Sequence, residues 1–448
     1  MAGGTWTTQN KVRPGVYINF KSTAQTLASL GDRGIGTFPM AMSWGPEGEV
    51  ITLANGEDTF DKLGYYLTDT QMLAIQQFFL GTERTDAPVT LYLWRLKSSG
   101  TKAVAMASGL TAAAKYKGVR GNDITVVISV NVDDESKFDV TTIVDNDTQD
   151  TQSEVATIGD LVANDWVDFS GTETTALVAT TGMVLTDGTD GEVASSAYIS
   201  YLEAIEPYYY NSMGCMDTSA TVIKLFTSYT KRLVTEEGRY AQLVVANYPS
   251  ADSECVVSIK NGVILDTEDT IPPEMAVAWL VGASAGANVN ESLTYATYPG
   301  AVGVTTVYTN TEIIAAINAG EFIFTPVKDG TVHAEYDINT FTSYTATKGK
   351  SFRKNRIVRV LQGFGNDVHT LFSKYYIGKT DNNDNERSIL KAELVAYCNT
   401  LVGINALQNF EADDIVVAAG TDSDAVLINA NIQPVDSVDK IYIAVTVE

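Results

Sequence analysis

The chain has 448 residues, of which 45% are hydrophobic and 19% charged, and carries a formal net charge of −25. That length is enough for about three domains with unstapled cores. The excess of acid argues against nucleic acid or an anionic membrane as partner, because both are held through clusters of Lys and Arg.

Residues 1 to about 20 read as an arm. Within it Val12-Arg13-Pro14-Gly15-Val16-Tyr17-Ile18-Asn19-Phe20 alternates, with Val16, Ile18 and Phe20 on one face, the period-2 pattern of a half-buried strand. Pro14 lacks a ladder donor and Gly15 permits a sharp bend, as suits an arm leaving its domain. Gly31 to Gly36 is turn-rich and feeds the apolar segment 36–43. Asp69-Thr70-Gln71 can cap a helix carrying Met72, Ile75, Phe79 and Leu80, and Val89 to Arg95 reads as a strand.

From about residue 101 the text turns β-rich. Ile124 to Val130 and Phe138 to Val144 read as strands, Asp145 to Glu154 as an acidic Thr-rich loop, and Thr181 to Gly191 as the closing turns of an inserted module. From Ala197 helices (198–205, 220–233, 272–285, 311–318) alternate with strands (241–246, 255–259, 321–325), the order of an open α/β layer. The last unit has a helix with Ile357, Leu361, Phe364, Val368, Leu371, Phe372 and Tyr375 on one stripe despite Gly363 and Gly365. A second helix carries Ile389, Leu390, Leu394, Val395 and Leu401. Strands at 415–419 and 425–432 precede a terminal one, Lys440 to Val447, with Ile441, Ile443, Val445 and Val447 on one face.

The expected fold class is therefore α/β and α+β multidomain. It comprises an N-terminal arm (1–20), an open α/β domain in two parts (21–100 and 193–334), an inserted β-rich domain (101–192), a C-terminal helix-helix-strand domain (335–437) and a C-terminal strand (438–448). An end strand can pair at home or complete a sheet in the next copy. Apolar alternation at both ends favours assembly, since chain ends are ordinarily the least ordered part of a domain.

Catalytic and ligand-binding patterns are weak. Gly282-Ala283-Ser284-Ala285-Gly286 matches a G-x-S-x-G elbow, with Asp337 and His369 following in hydrolase order. An elbow must end a strand, whereas this match lies late in a segment opened by Pro272-Pro273, where small residues at i and i+4 let two helices approach. Neither His333 nor His369 has metal-ligand spacing, and Cys215, Cys255 and Cys398 form neither a zinc motif nor a disulfide framework. Gly378-Lys379-Thr380 lacks the first Gly of a phosphate loop, and Asp381 to Asn385 lacks the later ligands of a calcium loop, leaving a polar loop with an N-cap. No cofactor is implied. The cysteines fit a reducing compartment. With neither an export signal nor a membrane span in view, the protein is expected to be made and kept in cytoplasm until something else moves it.

One charged cluster stands out. Lys348, Lys350, Arg353, Lys354, Arg356 and Arg359 occur with no acid between Asp337 and Asp367, and Arg353, Lys354 and Arg356 fall at a helix start, where the macrodipole disfavours cations. The alternatives are a docking surface for an acidic partner and a basic face compensated by acids of neighbouring domains.

Arg13-Pro14-Gly15-Val16-Tyr17, Tyr116-Lys117-Gly118-Val119-Arg120-Gly121-Asn122-Asp123-Ile124 and Leu185-Thr186-Asp187-Gly188-Thr189-Asp190-Gly191 together resemble the tail sheath proteins of contractile phages and phage-tail-like bacteriocins. The resemblance implies a structural subunit, not an enzyme, that stacks in six-membered rings as a helical sleeve around an inner tail tube and contracts to drive the tube through a cell envelope. Its partners would be further copies of itself, the tube protein, and the baseplate and tail terminator at the sheath ends, with no nucleic acid and no membrane insertion. It would assemble in the host cytoplasm and end in the virion or tail-like particle. Val16, Tyr17, Ile18, Phe20, Ile441, Ile443, Val445 and Val447 would then pair between subunits. The six basic residues would face the tube and the insert would lie outermost. Two readings from other classes are an α/β hydrolase using Ser284 and a surface-layer or adhesin-like β protein.

Overall fold

The computed structural model describes residues 2–4, 15–17 and 30–447. They form two compact units, one of residues 32–366 with 434–447 and one of 367–433 with the described residues before 32.

The larger unit is built on a seven-stranded sheet, ordered Glu321–Phe322, Val256–Ile259, Gln242–Ala246, Ser212–Gly214, Ile35–Met40, Thr90–Arg95, Val50–Ala54. Every neighbouring pair is parallel except the last, where Val50–Ala54 runs against Thr90–Arg95. Central strands such as Gln242–Ala246 are buried throughout and read as unbroken apolar runs, because helices cover both faces. Alternation still sorts their side chains: Val244 and Ala246 join Phe38, Leu93 and Trp279 in one core, while Leu243 and Val245 join Tyr201, Phe226 and Trp94 in the other.

Helix Pro273–Gly286 covers the first face, entered through Pro272 with Pro273 at its first position, where a missing N–H costs nothing. Its Gly282 and Gly286 are needed for proximity. A Cβ on Gly282 would lie 1.9 Å from the carbonyl oxygen of Phe78, and one on Gly286 would lie 2.0 Å from that of Asp86. Helices Ser195–Ile205 and Ala220–Glu236 cover the second face, burying Tyr201, Leu202, Phe226 and Leu233.

The insert is a sandwich of two antiparallel sheets. Four strands are ordered Asp147–Val155, Phe138–Val144, Ile124–Val130, Thr180–Val184, and three Val167–Ser170, Leu110–Lys117, Lys102–Ala107. The expected loop over Asp145 to Glu154 is instead a nine-residue strand, Asp147–Val155, paired with Phe138–Val144. Its polar composition suits the outer strand of a sheet. The turn is only Asp145-Asn146, both left-handed (φ 52° and 70°), the geometry of the tightest hairpin connections.

Aromatic rings and arginines seat the insert on the α/β layer. Trp44 stacks on Trp166 with ring centroids 4.8 Å apart. The buried Arg120 guanidinium lies over the Tyr65 ring, donates to the carbonyl of Gly64 at 2.8 Å and pairs with Asp123 and Asp145. Arg95 donates to the carbonyls of Met42, Gly45 and Lys117.

In the smaller unit, helix Asp384–Gly403 begins at Asn383, whose side chain accepts from the Glu386 N–H at 3.0 Å, so the polar loop ends in an N-cap as the sequence indicates. Strands Ile415–Ala419 and Val426–Ala430 form a two-stranded antiparallel hairpin. The long helix Asn355–Tyr375 contains the division between the units. Its two glycines have a packing role: a Cβ on Gly363 would meet Val289 at 2.9 Å and one on Gly365 would meet the Tyr240 ring at 2.5 Å.

Candidate inter-subunit surfaces

The C-terminal strand expected from alternation is not a strand within the described residues. Residues 440–447 are irregular, and Ile441, Tyr442, Ile443, Val445 and Val447 are 77% to 89% exposed. The alternating pattern exists, but no sheet among the described residues receives it. A run of large apolar side chains left in water is the signature of an interaction surface.

The root of this tail is held. Lys354, a short step before the long helix, forms ion pairs with Asp436, at 3.1 Å, and with Asp439. Its ammonium also sits 5.0 Å from the centre of the Tyr336 ring. Ser437 donates from its backbone N–H to Asp436 and from its hydroxyl to Asp439, each at 2.7–2.8 Å. Sequence reasoning missed both aspartates. Asp436-Ser-Val-Asp439 ahead of an apolar alternation was the available signal, but 82 and 85 residues separate them from Lys354.

At the other end, Gly15–Tyr17 is a strand and lies parallel to Ala2–Gly4, with Val16 opposite Gly3 and Tyr17 opposite Gly4. Ile18 and Phe20 lie outside the described residues.

The basic cluster is not one solvated patch. Lys348 pairs with Glu254, and Lys354 is engaged as above. Arg359 is 3% exposed, donates to the carbonyl of Glu291 at 2.6 Å and lies 3.8 Å from the Asp337 carboxylate. Arg356 is half-buried, and loss of hydration lowers its pKa from the ordinary arginine value while Asp436 opposes the shift. For Lys348, Lys354 and Arg359 the contacts favour the second alternative, compensation by acids of this chain. The acids that compensate them are remote in sequence and near in space. Lys350 is exposed. Arg353 is 7% exposed, with Nε and one terminal nitrogen buried and without a hydrogen-bond partner, a costly condition for a cation.

Ser284 lies inside helix Pro273–Gly286 at 2% exposure, and its hydroxyl has no hydrogen-bond partner. A nucleophile needs an adjacent base and an approach for substrate, and a helix interior offers neither. Among the described residues no group of His, Cys, Asp and Glu could hold a metal ion, and no helix is long and apolar enough to cross a membrane.

Comparison with known proteins accounts for nearly the whole chain. It matches the phage tail sheath protein central domain over residues 191–340, the phage tail sheath C-terminal domain over 347–448, the phage tail sheath protein beta-sandwich domain over 98–190, and the tail sheath protein Gp18 domain III N-terminal region over 33–92. The crystal structure of a sheath tail protein from Desulfitobacterium hafniense is 48% identical, with a TM-score of 0.86, covering 96% of this chain and 99% of that one. The phage-like element PBSX protein XkdK of Bacillus subtilis is 35% identical over the full length of both chains. The helical sheath of the anti-feeding prophage in its contracted state, at 12% identity, shares the fold with a TM-score of 0.58 over 97% of this chain and 99% of that one. With its α/β layer, inserted β-sandwich and helical C-terminal region, this chain is a member of the phage tail sheath family.

Proposed function

We infer that the chain is the structural subunit of a contractile tail sheath, stacking in six-membered rings as a helical sleeve around an inner tube and contracting to drive that tube through a cell envelope. The observation that carries the reading is the C-terminal tail. Ile441, Ile443, Val445 and Val447 alternate as a strand does, yet stand in water, so an extended segment ready to pair is presented to another copy. The hairpin Ile415–Ala419 with Val426–Ala430 has only two strands among the described residues and so offers outer edges of the kind such a segment extends. Val16 and Tyr17, with Ile18 and Phe20, would pair in the same manner. Their present partner, Ala2–Gly4, is joined to them through only residues 5–14, shorter than the crossover that parallel strands ordinarily need, which supports an exchangeable pairing.

Lys350 is the member of the basic cluster best suited to an acidic face of the tube, because it is exposed. Ionic contacts of this kind separate more readily than apolar ones of equal area when the sleeve moves outward. Contraction would release small differences in contact free energy, summed over many copies and without nucleotide. The baseplate and tail terminator would meet the ends of the sleeve, and assembly would take place in the host cytoplasm before incorporation in the particle.

The test is deletion of residues 440–448, with the product viewed by negative-stain electron microscopy. The expected result is a folded, soluble subunit that forms no sleeves; sleeves of normal length from the truncated chain would sink the reading.

A further inference from the structure

The geometry points to Lys354 as a positioning residue that moors the root of the C-terminal tail and thereby sets how much chain is free to reach another copy. The inference rests on the strand-exchange reading above, but it concerns the monomer and is tested there. Three observations carry it. First, one cation holds two carboxylates, Asp436 and Asp439, and the inner of the two contacts is largely shielded: the side chains of Lys354 and Asp439 are 14% and 8% exposed, against 46% for Asp436. Second, the mooring is braced from both sides, by the Tyr336 ring under the ammonium and by Ser437 bridging the two aspartates. Third, burial changes at this point: residues 434–439 are a mixture of part-buried and exposed positions, whereas every residue from Lys440 to Val447 is exposed.

The charge arithmetic makes the mooring depend on the lysine. Two carboxylates against one ammonium leave a local excess of one negative charge, so removing the lysine leaves Asp436 and Asp439 facing each other and expels the tail root in addition to loosening it. Arg356 also feels Asp436, but Lys354 is the group in ionic contact with both aspartates. Closed, the mooring leaves Lys440–Val447 free, a reach of about 27 Å when extended at about 3.4 Å per residue. Open, it adds residues 436–439 and about 14 Å. A fixed free length selects which neighbouring edge the tail can meet; a longer one admits wrong edges and blunts that selection.

Hydrogen exchange on the purified full-length subunit tests this. In Lys354→Met the amides of residues 435–439 should exchange at least tenfold faster, while those of the central strand Gln242–Ala246 are unchanged. Lys354→Arg should restore protection, which a merely apolar filler at this position would not do. Asp436→Asn with Asp439→Asn, two changes on the tail itself, should match Lys354→Met and covers the case in which loss of the lysine unfolds the chain. Unchanged exchange at 435–439 in either the methionine or the double-asparagine variant would overturn the mooring. If truncation at residue 440 still yields sleeves, strand exchange fails by itself, and the exchange data still decide whether Lys354 holds the tail.

Discussion

Asn122 and Gly188 exchange two hydrogen bonds: the Asn122 side-chain amide donates to the Gly188 carbonyl at 3.0 Å, and the Gly188 N–H donates to the Asn122 side-chain oxygen at 2.8 Å. Sixty-six residues apart, they join the stretch that opens the inserted sandwich to the one that closes it. Asp190 adds bonds to the Ser43 hydroxyl and the Val119 N–H. A Cβ on Gly118, whose φ is +125°, would lie 2.0 Å from the carbonyl of Ser43. The glycines and polar residues of both stretches are explained by one junction, where the β-sandwich is clamped to the α/β layer.

Arg120 is the centre of that clamp, with its side chain 5% exposed and its guanidinium shared between Gly64, Asp123 and Asp145. Arg120→Ala leaves the Gly64 carbonyl and Asp145 without their donor and should cost about 3 kcal/mol. Urea unfolding followed by tryptophan fluorescence checks this, since Trp44 and Trp166 stack beside the site; a loss below about 0.5 kcal/mol would contradict the clamp.

The insert should be sensitive to acid. Its Asp145 carboxyl is held below the ordinary range by hydrogen bonds from Arg120, Asp139 by Asn131, Asp160 by the Thr157 backbone N–H and hydroxyl, and Asp134 by Ser136. Each titrates lower in the folded chain than in the unfolded one, so as pH falls the unfolded chain takes up protons first. Their contribution is therefore complete above about pH 5 and lost as pH drops through about 4 and below. Thermal melts between pH 7 and pH 3 should show a flat melting temperature down to about pH 5 and a fall beneath it; a rise on acidification would count against these contacts.

Ser284→Ala should leave stability equal or slightly higher, because a buried hydroxyl without a partner is removed. Sleeve formation should be unaltered. In the same helix Gly282→Val should be disruptive, by about 3 kcal/mol or more, because its side chain must displace the Phe78 backbone. Melting temperatures of the pair separate a packing role for this pentapeptide from a catalytic one, which would reverse the ranking in a serine-reactive probe assay.

Cys215, Cys255 and Cys398 are all buried free thiols, each pushed by burial up to about 12. Thiolate, the reactive form, is scarce at neutral pH. Ellman titration should find three reactive thiols per chain in denaturant and almost none in the native subunit within minutes.

Element types were legible wherever periodicity was strong. The stripe from Ile357 to Tyr375 and the buried runs of the α/β layer dictated helix and strand, because 3.6- and 2-residue spacing is a local property. So was the reading of Gly282 and Gly286 as small residues for close approach. Asp147–Val155 was hidden because its polar residues carry no apolar alternation, and only pairing with Phe138–Val144 makes it a strand. The partners of the basic cluster were hidden for a related reason. Sequence shows that acids are absent nearby along the chain, whereas screening and pairing depend on distance in space, and folding brings Glu254, Asp337, Asp436 and Asp439 to those cations. What sequence by itself determined is the apolar alternation of the tail, a pattern written residue by residue. That no sheet among the described residues takes up this tail, and that Lys354 grips its root, was decided only by the tertiary structure, because the partners involved are set by how distant segments pack.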